Sequence, residues 1–309
     1  MDELSHAHTT WLNFTHGLTV VEKQQLAEKY GLSLSHLETS THGKTPRAKV
    51  AANRSYVYFV FHIPYKTGES KKYSICELNV FVTKSTLTTI QSQGSLKVVN
   101  DYFSATQTSA KLKDKRCQDG PVSLFYKLFL HILQYLDEVI DAQGEAIDQS
   151  DREIFKKHLA RHFIEKISVL RYNQTIINTA IQSQLQILSP LKGRDNPLLN
   201  LSPKSKDNWS KIIDSFSNIN HQVVGDSHHL EGLIRTFESL ITFRTNEIIK
   251  ILTVFSVTLL PLNVISGIYG MNFHNIPFAT NPLGFFITVG YMFTVAFTLA
   301  LVFRFKRWL

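Results

Sequence analysis

The side chains with the types and spacing for joint chemistry gather near the C-terminal end of the chain. Asn246, Ile249, Thr253, Ser256, Leu260, Asn263, Gly267 and Gly270 follow one another in alternating steps of three and four residues. That spacing places them on one stripe of a helix. Most polar side chains of the stretch lie on it, although Thr258 and Ser266 fall off. Amides and hydroxyls in an apolar segment have two uses. They bond a neighbouring helix, with small residues permitting close approach, or they face water and keep their solvation. The residues alone leave both uses open. Just past the stripe comes "SGIYGMNFHNIPFATNP", Ser266 to Pro282, which holds no carboxylate.

Other groupings offer less. His158 and His162 lie four apart, with Asp151 seven residues before His158 and Glu153 close by. The histidine spacing can bind zinc, but the expectation is one solvated helical face. His6 and His8 are expected in a disordered terminus rather than a metal-binding tail. His228 and His229 with Asp226 are a minor candidate for a cation held between subunits. There is no nucleophile elbow, phosphate loop or zinc-protease motif, and scattered Ser, His and Asp are not evidence of catalysis. No enzyme activity and no cofactor are expected.

The stripe needs a scaffold that holds it in an apolar medium. Of 309 residues, 43% are hydrophobic and 19% charged, yet Ile251 to Phe303 contains no Lys, Arg, Asp or Glu. Two apolar spans result, about Ile251–Tyr269 and Leu283–Phe303, each close to the roughly 20 residues that cross a hydrocarbon core. Lys250 flanks one outer end, and "RFKRWL" flanks the other. Basic flanks favour the cytoplasmic side, so the hairpin is expected in the cell (inner or plasma) membrane with both its ends, and both termini, in the cytoplasm. Trp308 suits an interfacial anchor. Between Trp209 and Pro261 there is no proline, and Gly225 and Gly232 are the only glycines. This predicts one continuous helix, which at about 1.5 Å per residue far exceeds any bilayer. The expected division is a cytoplasmic domain over 1–208, a cytoplasmic stalk over 209–250 and a transmembrane hairpin over 251–309. Two spans cannot enclose a pore, so a water-filled path requires several copies around one axis.

Upstream, Thr19 and Glu22 have the spacing of a capping box, and the helix that follows should stop at Gly31. "YVYFVFHIP" (Tyr56–Pro64) and "YSICELNVFVTK" (Tyr73–Lys84) read as strands, the first of them central, and "LTTI" continues the sheet. After Pro121 the period becomes helical, giving two long helices. "SPLKGRDNPLLNLSPKSKDN", Ser189–Asn208, reads as a loop, as does "KLKDKR", Lys111–Arg116. The class is α+β. Cys76 and Cys117 give no disulfide framework, which suits a reducing cytoplasm. The polar N-terminus is no signal peptide. The net charge of +8 fits a surface near anionic lipid better than a nucleic-acid partner, because basic residues do not interleave with aromatics.

With "GIYGMNF" (Gly267–Phe273) at the exit of the first span and "RTNEIIKILTVFSVTLLPLNVISG" before it, the chain resembles the CorA family of divalent-cation transporters. The resemblance covers the whole chain in architecture and is specific from about Arg235 onward. It implies a homopentameric funnel with five stalk helices around a pore, embedded in the lipid bilayer. Gly270-Met271-Asn272 would be the selectivity filter, with Asn272 meeting the metal. Asn246, Ile249, Leu252, Thr253, Ser256, Leu260, Asn263 and Gly267 would line the pore, with Ile249, Leu252 and Leu260 as its apolar constriction. Gly270 would let the backbone turn and approach closely. The implied function is Mg2+ uptake driven by the membrane potential. The chain departs from the family pattern in its acid-free outer loop, and in Lys211 and Arg235 where carboxylates are expected. ZntB-like and CmaX-like branches, transport of Zn2+, Co2+ or Ni2+, and a non-conducting scaffold or sensor are the alternatives.

Overall fold

The computed structural model describes residues 1–309 except 1, 7, 43–47, 67, 69, 92–94, 156–160, 193–195, 202–205, 273–275, 279–280, 307 and 309. The chain forms two compact units, Met1–Leu233 and Ile234–Leu309.

The first unit is built on a six-stranded sheet. Its strands are β1 (Asp2–His6), β2 (Thr9–Phe14), β3 (Lys49–Ala52), β4 (Tyr56–Lys66), β5 (Tyr73–Thr83) and β6 (Thr86–Gln91). They lie in the order β1-β2-β6-β5-β4-β3, with β2 and β6 parallel and the other neighbours antiparallel. β4 is therefore not central, as its composition suggests. It lies one strand in from the edge, and β5 and β6 form the middle pair. Its unbroken apolar run has another cause, which is cover on both faces. Val57, Phe59, Phe61 and Ile63 point into one core, and Tyr56, Tyr58 and Val60 into a second. The second core is closed by α1 (Val20–Tyr30) and α2 (Leu34–His42), the first by α3 (Lys97–Thr108), α5 (Pro121–Glu153), α6 (Arg161–Leu188) and the start of α7 (Lys206–Tyr269).

α1 begins and ends where its residues dictate. The Thr19 hydroxyl accepts from Glu22 N, the Glu22 carboxylate accepts from Thr19 N at 2.8 Å, and Gly31 caps the other end in the left-handed region. The two long helices form as their period predicts. Gln143 Nε2 donates to Leu170 O at 2.9 Å, tying α5 to α6. Asn173 Oδ1 accepts from Tyr73 N and its Nδ2 donates to Lys71 O, tying α6 to the sheet. Trp209, fully buried, anchors the start of α7 against Phe125, Tyr126 and Phe129 of α5.

Three expectations fail here for local reasons. "KLKDKR" is not a loop but most of α4 (Ala110–Cys117), which Ser109 caps by accepting from Leu112 N. Arg116 packs its guanidinium 3.6 Å from the Tyr102 ring centre and donates to Thr106 Oγ1 at 2.6 Å, so one face of this charged helix is anchored. His6 is not in a disordered tail. It ends β1 opposite Thr9, with Nε2 3.2 Å from Asp114 Oδ1. The Ser189–Asn208 stretch holds two 3-10 turns among its described residues, Ser189–Lys192 and Pro197–Asn200, and α7 starts within it.

The second unit contains the rest of α7 and α8 (Gly284–Phe305). Each helix carries a stretch long and apolar enough to cross a membrane, none of it buried within the chain. Phe255, Phe285, Phe293 and Phe297 are 63%, 72%, 74% and 66% exposed. Aromatic surface on this scale is not left to water, and it marks these helices as membrane elements.

Candidate functional site

The stripe on α7 exists as a continuous helical face. α7 carries Asn246 through Gly267 without a break, across Pro261. Ile249 and Leu260 are 53% and 67% exposed, as is Leu252 at 65%, and Asn246, Ser256, Asn263, Gly267 and Gly270 are exposed too. Thr253 alone on the stripe is half-buried. The better covered residues are others: Val254, Thr258, Pro261, Leu262 and Ile265. The polar face is thus uncovered, together with apolar residues off the stripe such as Phe255, Leu259 and Val264.

Its chemistry is that of neutral oxygen. Thr253 Oγ1 donates its hydrogen to Ile249 O at 2.7 Å, so its lone pairs remain for an outside partner. Among the described residues, nothing bonds the side chains of Asn246, Asn263 or Asn272. Pro261 has no N–H, which leaves the Val257 carbonyl without its helical donor. Lys, Arg, Asp and Glu are absent along the stripe beyond Lys250. The face can accept hydrogen bonds from water or from a hydrated cation, and it holds no charge that would trap one.

The glycines behave differently from expectation. Gly270 does not take a left-handed conformation. A Cβ on it would meet Ser266 O at 3.4 Å and Gly267 O at 3.5 Å, ordinary contact. Gly267 has nothing within 4 Å of such an atom. Neither needs to be glycine for packing within the chain. α7 ends with Gly270 N bonded to Ser266 O at 3.0 Å and Met271 N to Ile268 O at 3.2 Å, which leaves Asn272 just past the helix, exposed.

The sequence did not point to the ties in the loop that follows. Tyr269 donates its hydroxyl hydrogen to Pro277 O at 2.9 Å. Phe278 has φ +64°, and a Cβ on Gly284 would lie 2.0 Å from Phe278 O. A tyrosine between two glycines was the available signal.

The remaining constellations are not assembled. α5 ends at Glu153 and α6 begins at Arg161, so Asp151 and His162 lie on different helices, while His158 lies outside the described residues. Asp226 turns inward, its carboxylate against Gly144 of α5, and His229 Nδ1 lies 3.5 Å from Asp148 Oδ1. Among the described residues no group of three His, Cys, Asp or Glu side chains could hold a metal ion.

Comparison with known proteins places this geometry. A family model described as CorA-like Mg2+ transporter protein matches residues 6–307. The cobalt/magnesium transport protein CorA of Thermotoga maritima is 24% identical over 311 residues, covering 97% of this chain and 83% of that protein. The complete structure of the CorA magnesium transporter from Methanocaldococcus jannaschii superposes with a TM-score of 0.81 at 20% identity, covering 100% of this chain and 95% of that one. Full-length CmaX superposes with a TM-score of 0.73 at 18% identity, covering 97% and 89%. The α/β part, the long helix and the two apolar helices fit that fold, and the chain belongs to the CorA family.

Proposed function

We propose that the protein conducts divalent cations, Mg2+ foremost, through a pore lined by the α7 stripe of several copies. The observation that carries this is the exposure of the stripe. A charge-free apolar helix leaves its amides, hydroxyls and glycines uncovered in the protomer, and only water or other copies of itself satisfy them. Five copies is the number that the family resemblance supports.

Magnesium dehydrates reluctantly and prefers oxygen ligands. A ring of Asn272 carbonyls accepts hydrogen bonds from the hydrated ion without stripping it, and neutral ligands bind weakly enough to release it. Deeper in, Thr253, Ser256 and Asn263 continue the polar wall. Ile249, Leu252 and Leu260 supply an apolar constriction, which closes by expelling water. Residues 1–208 and the stalk over 209–250 are placed in the cytoplasm, because Lys250 and the basic C-terminus mark the inner side. A divalent ion then enters down the potential, gaining about 4.6 kcal/mol per 100 mV. No bound cofactor and no catalytic step is needed.

Zn2+, Co2+ and Ni2+ are the competing cargoes. A non-conducting scaffold is favoured by the acid-free outer loop, which lacks charge to concentrate cations. Reconstitution into vesicles carrying a divalent-sensitive dye separates these readings. The expected result is Mg2+ influx that quickens as the interior becomes negative. An intact oligomer passing none of the four ions would point to the scaffold.

A further inference from the structure

The loop between α7 and α8 is tied at two points by residues on either side of Asn272. Tyr269, the last residue of α7, gives its hydroxyl hydrogen to the carbonyl of Pro277, eight residues on, at 2.9 Å. The next residue, Phe278, holds φ at +64°, a conformation that bulky side chains adopt only when their surroundings impose it. Those surroundings are visible. Phe278 O accepts from Asn281 N at 3.2 Å, Asn281 Oδ1 accepts from Leu283 N at 2.9 Å, and Asn281 O accepts from Gly284 N at 2.8 Å. The buried Gly284 sits so close to Phe278 that a Cβ would reach 2.0 Å from its carbonyl oxygen. Pro277 is thereby joined on one side to the end of α7 and on the other to the start of α8.

Asn272 lies inside the closure from Tyr269 to Pro277. Among the described residues its side chain has no bonding partner, so its aim depends on the backbone that carries it. We infer that Tyr269 is the positioning residue of the Asn272 ring: its hydroxyl closes the segment that holds Asn272, and the Phe278–Gly284 contact anchors the far end. This rests on the reading of Asn272 as the ion-facing residue. A tyrosine at the end of an apolar span has another ordinary use, as an interfacial anchor. That use needs only the ring.

Tyr269→Phe keeps the ring and removes the donor, and so separates the two. The full-length protein is reconstituted as wild type, Tyr269→Phe and Asn272→Ala. Mg2+ influx is followed over a range of concentrations, with amide hydrogen exchange of the loop in the same preparations. For Tyr269→Phe the expected result is an unchanged oligomer, faster exchange in the loop, and a half-saturating Mg2+ concentration raised about fivefold, the size of one neutral hydrogen bond. Wild-type exchange in Tyr269→Phe overturns the closure itself, whatever Asn272 does. Accelerated exchange with wild-type influx kinetics overturns the positioning role. Wild-type influx in Asn272→Ala removes the ring, and with it the role of Tyr269, even where the closure stands.

Discussion

Asn263 and Asn272 carry the same amide, but their positions make opposite demands. Asn272 stands beyond the end of α7, where water satisfies its neighbours, so Asn272→Ala should leave assembly intact and abolish selective uptake. Asn263 stands within the span. Asn263→Leu should lower flux if the side chain faces water, and should weaken the oligomer if it bonds a neighbouring helix; native mass spectrometry beside a flux assay tells these apart. Asp226 makes a different prediction. Burial first, then Asp148 and Asp141, push its pKa up, against the pull of His229. A raised carboxylate pKa means that the fold disfavours the charge. Stability is then fullest below the unfolded value and declines as pH rises through the folded one. Asp226→Asn should therefore melt above wild type at pH 7, and the gap should close near pH 4, about where a free aspartate titrates. A lower melting point at pH 7 would mean that the carboxylate holds something. At this scale the stripe was legible because its spacing is helical. Asp226 was not, since its carboxylate packs against Gly144, 82 residues away in sequence.

Helices were more legible than strands. α1 followed from Thr19, Glu22 and Gly31, all local, and Thr19→Ala should cost about 1 kcal/mol in denaturant unfolding of a two-state fragment or an equivalent shift in the full chain. β4 and β5 followed from their composition. β1, β2 and β3 went unrecognised because pairing partners define them: β2 is completed by β6, more than 70 residues later. α4 was hidden by its charge, and Arg116 shows how a charged helix docks through one cation–aromatic contact. For α7 the open question is what its stripe faces. Cysteines placed one at a time along it answer that, since Cys76 and Cys117 are buried and give little background. Ser256→Cys should react with a water-soluble thiol reagent in the assembled protein, and Phe255→Cys should not. Equal protection of both would mean a dry helix–helix contact.

At the scale of the whole molecule, the proposed assembly answers a feature of the single chain. The second unit leaves its large apolar side chains exposed and its polar stripe uncovered; the lipid belt and ring of copies proposed above would cover both. A stable monomer in mild detergent, seen by native mass spectrometry, would count against that assembly. Lys211 and Arg235 stand where carboxylates were expected on α7, so millimolar Mg2+ should protect the first unit from protease only weakly; strong protection would show that other groups sense the ion. The coarse plan, an α/β part, then long helices, then two spans, was plain in the sequence, because composition and the Gly-Met-Asn motif carry it. Copy number and cargo were not, because both depend on surfaces that meet only in the assembly. The most direct measurement is initial Mg2+ influx into vesicles at an imposed negative potential, with wild type and Asn272→Ala reconstituted as matched oligomers. A potential-driven influx in wild type that disappears in Asn272→Ala is predicted. Equal influx in both, or none in wild type, would contradict it.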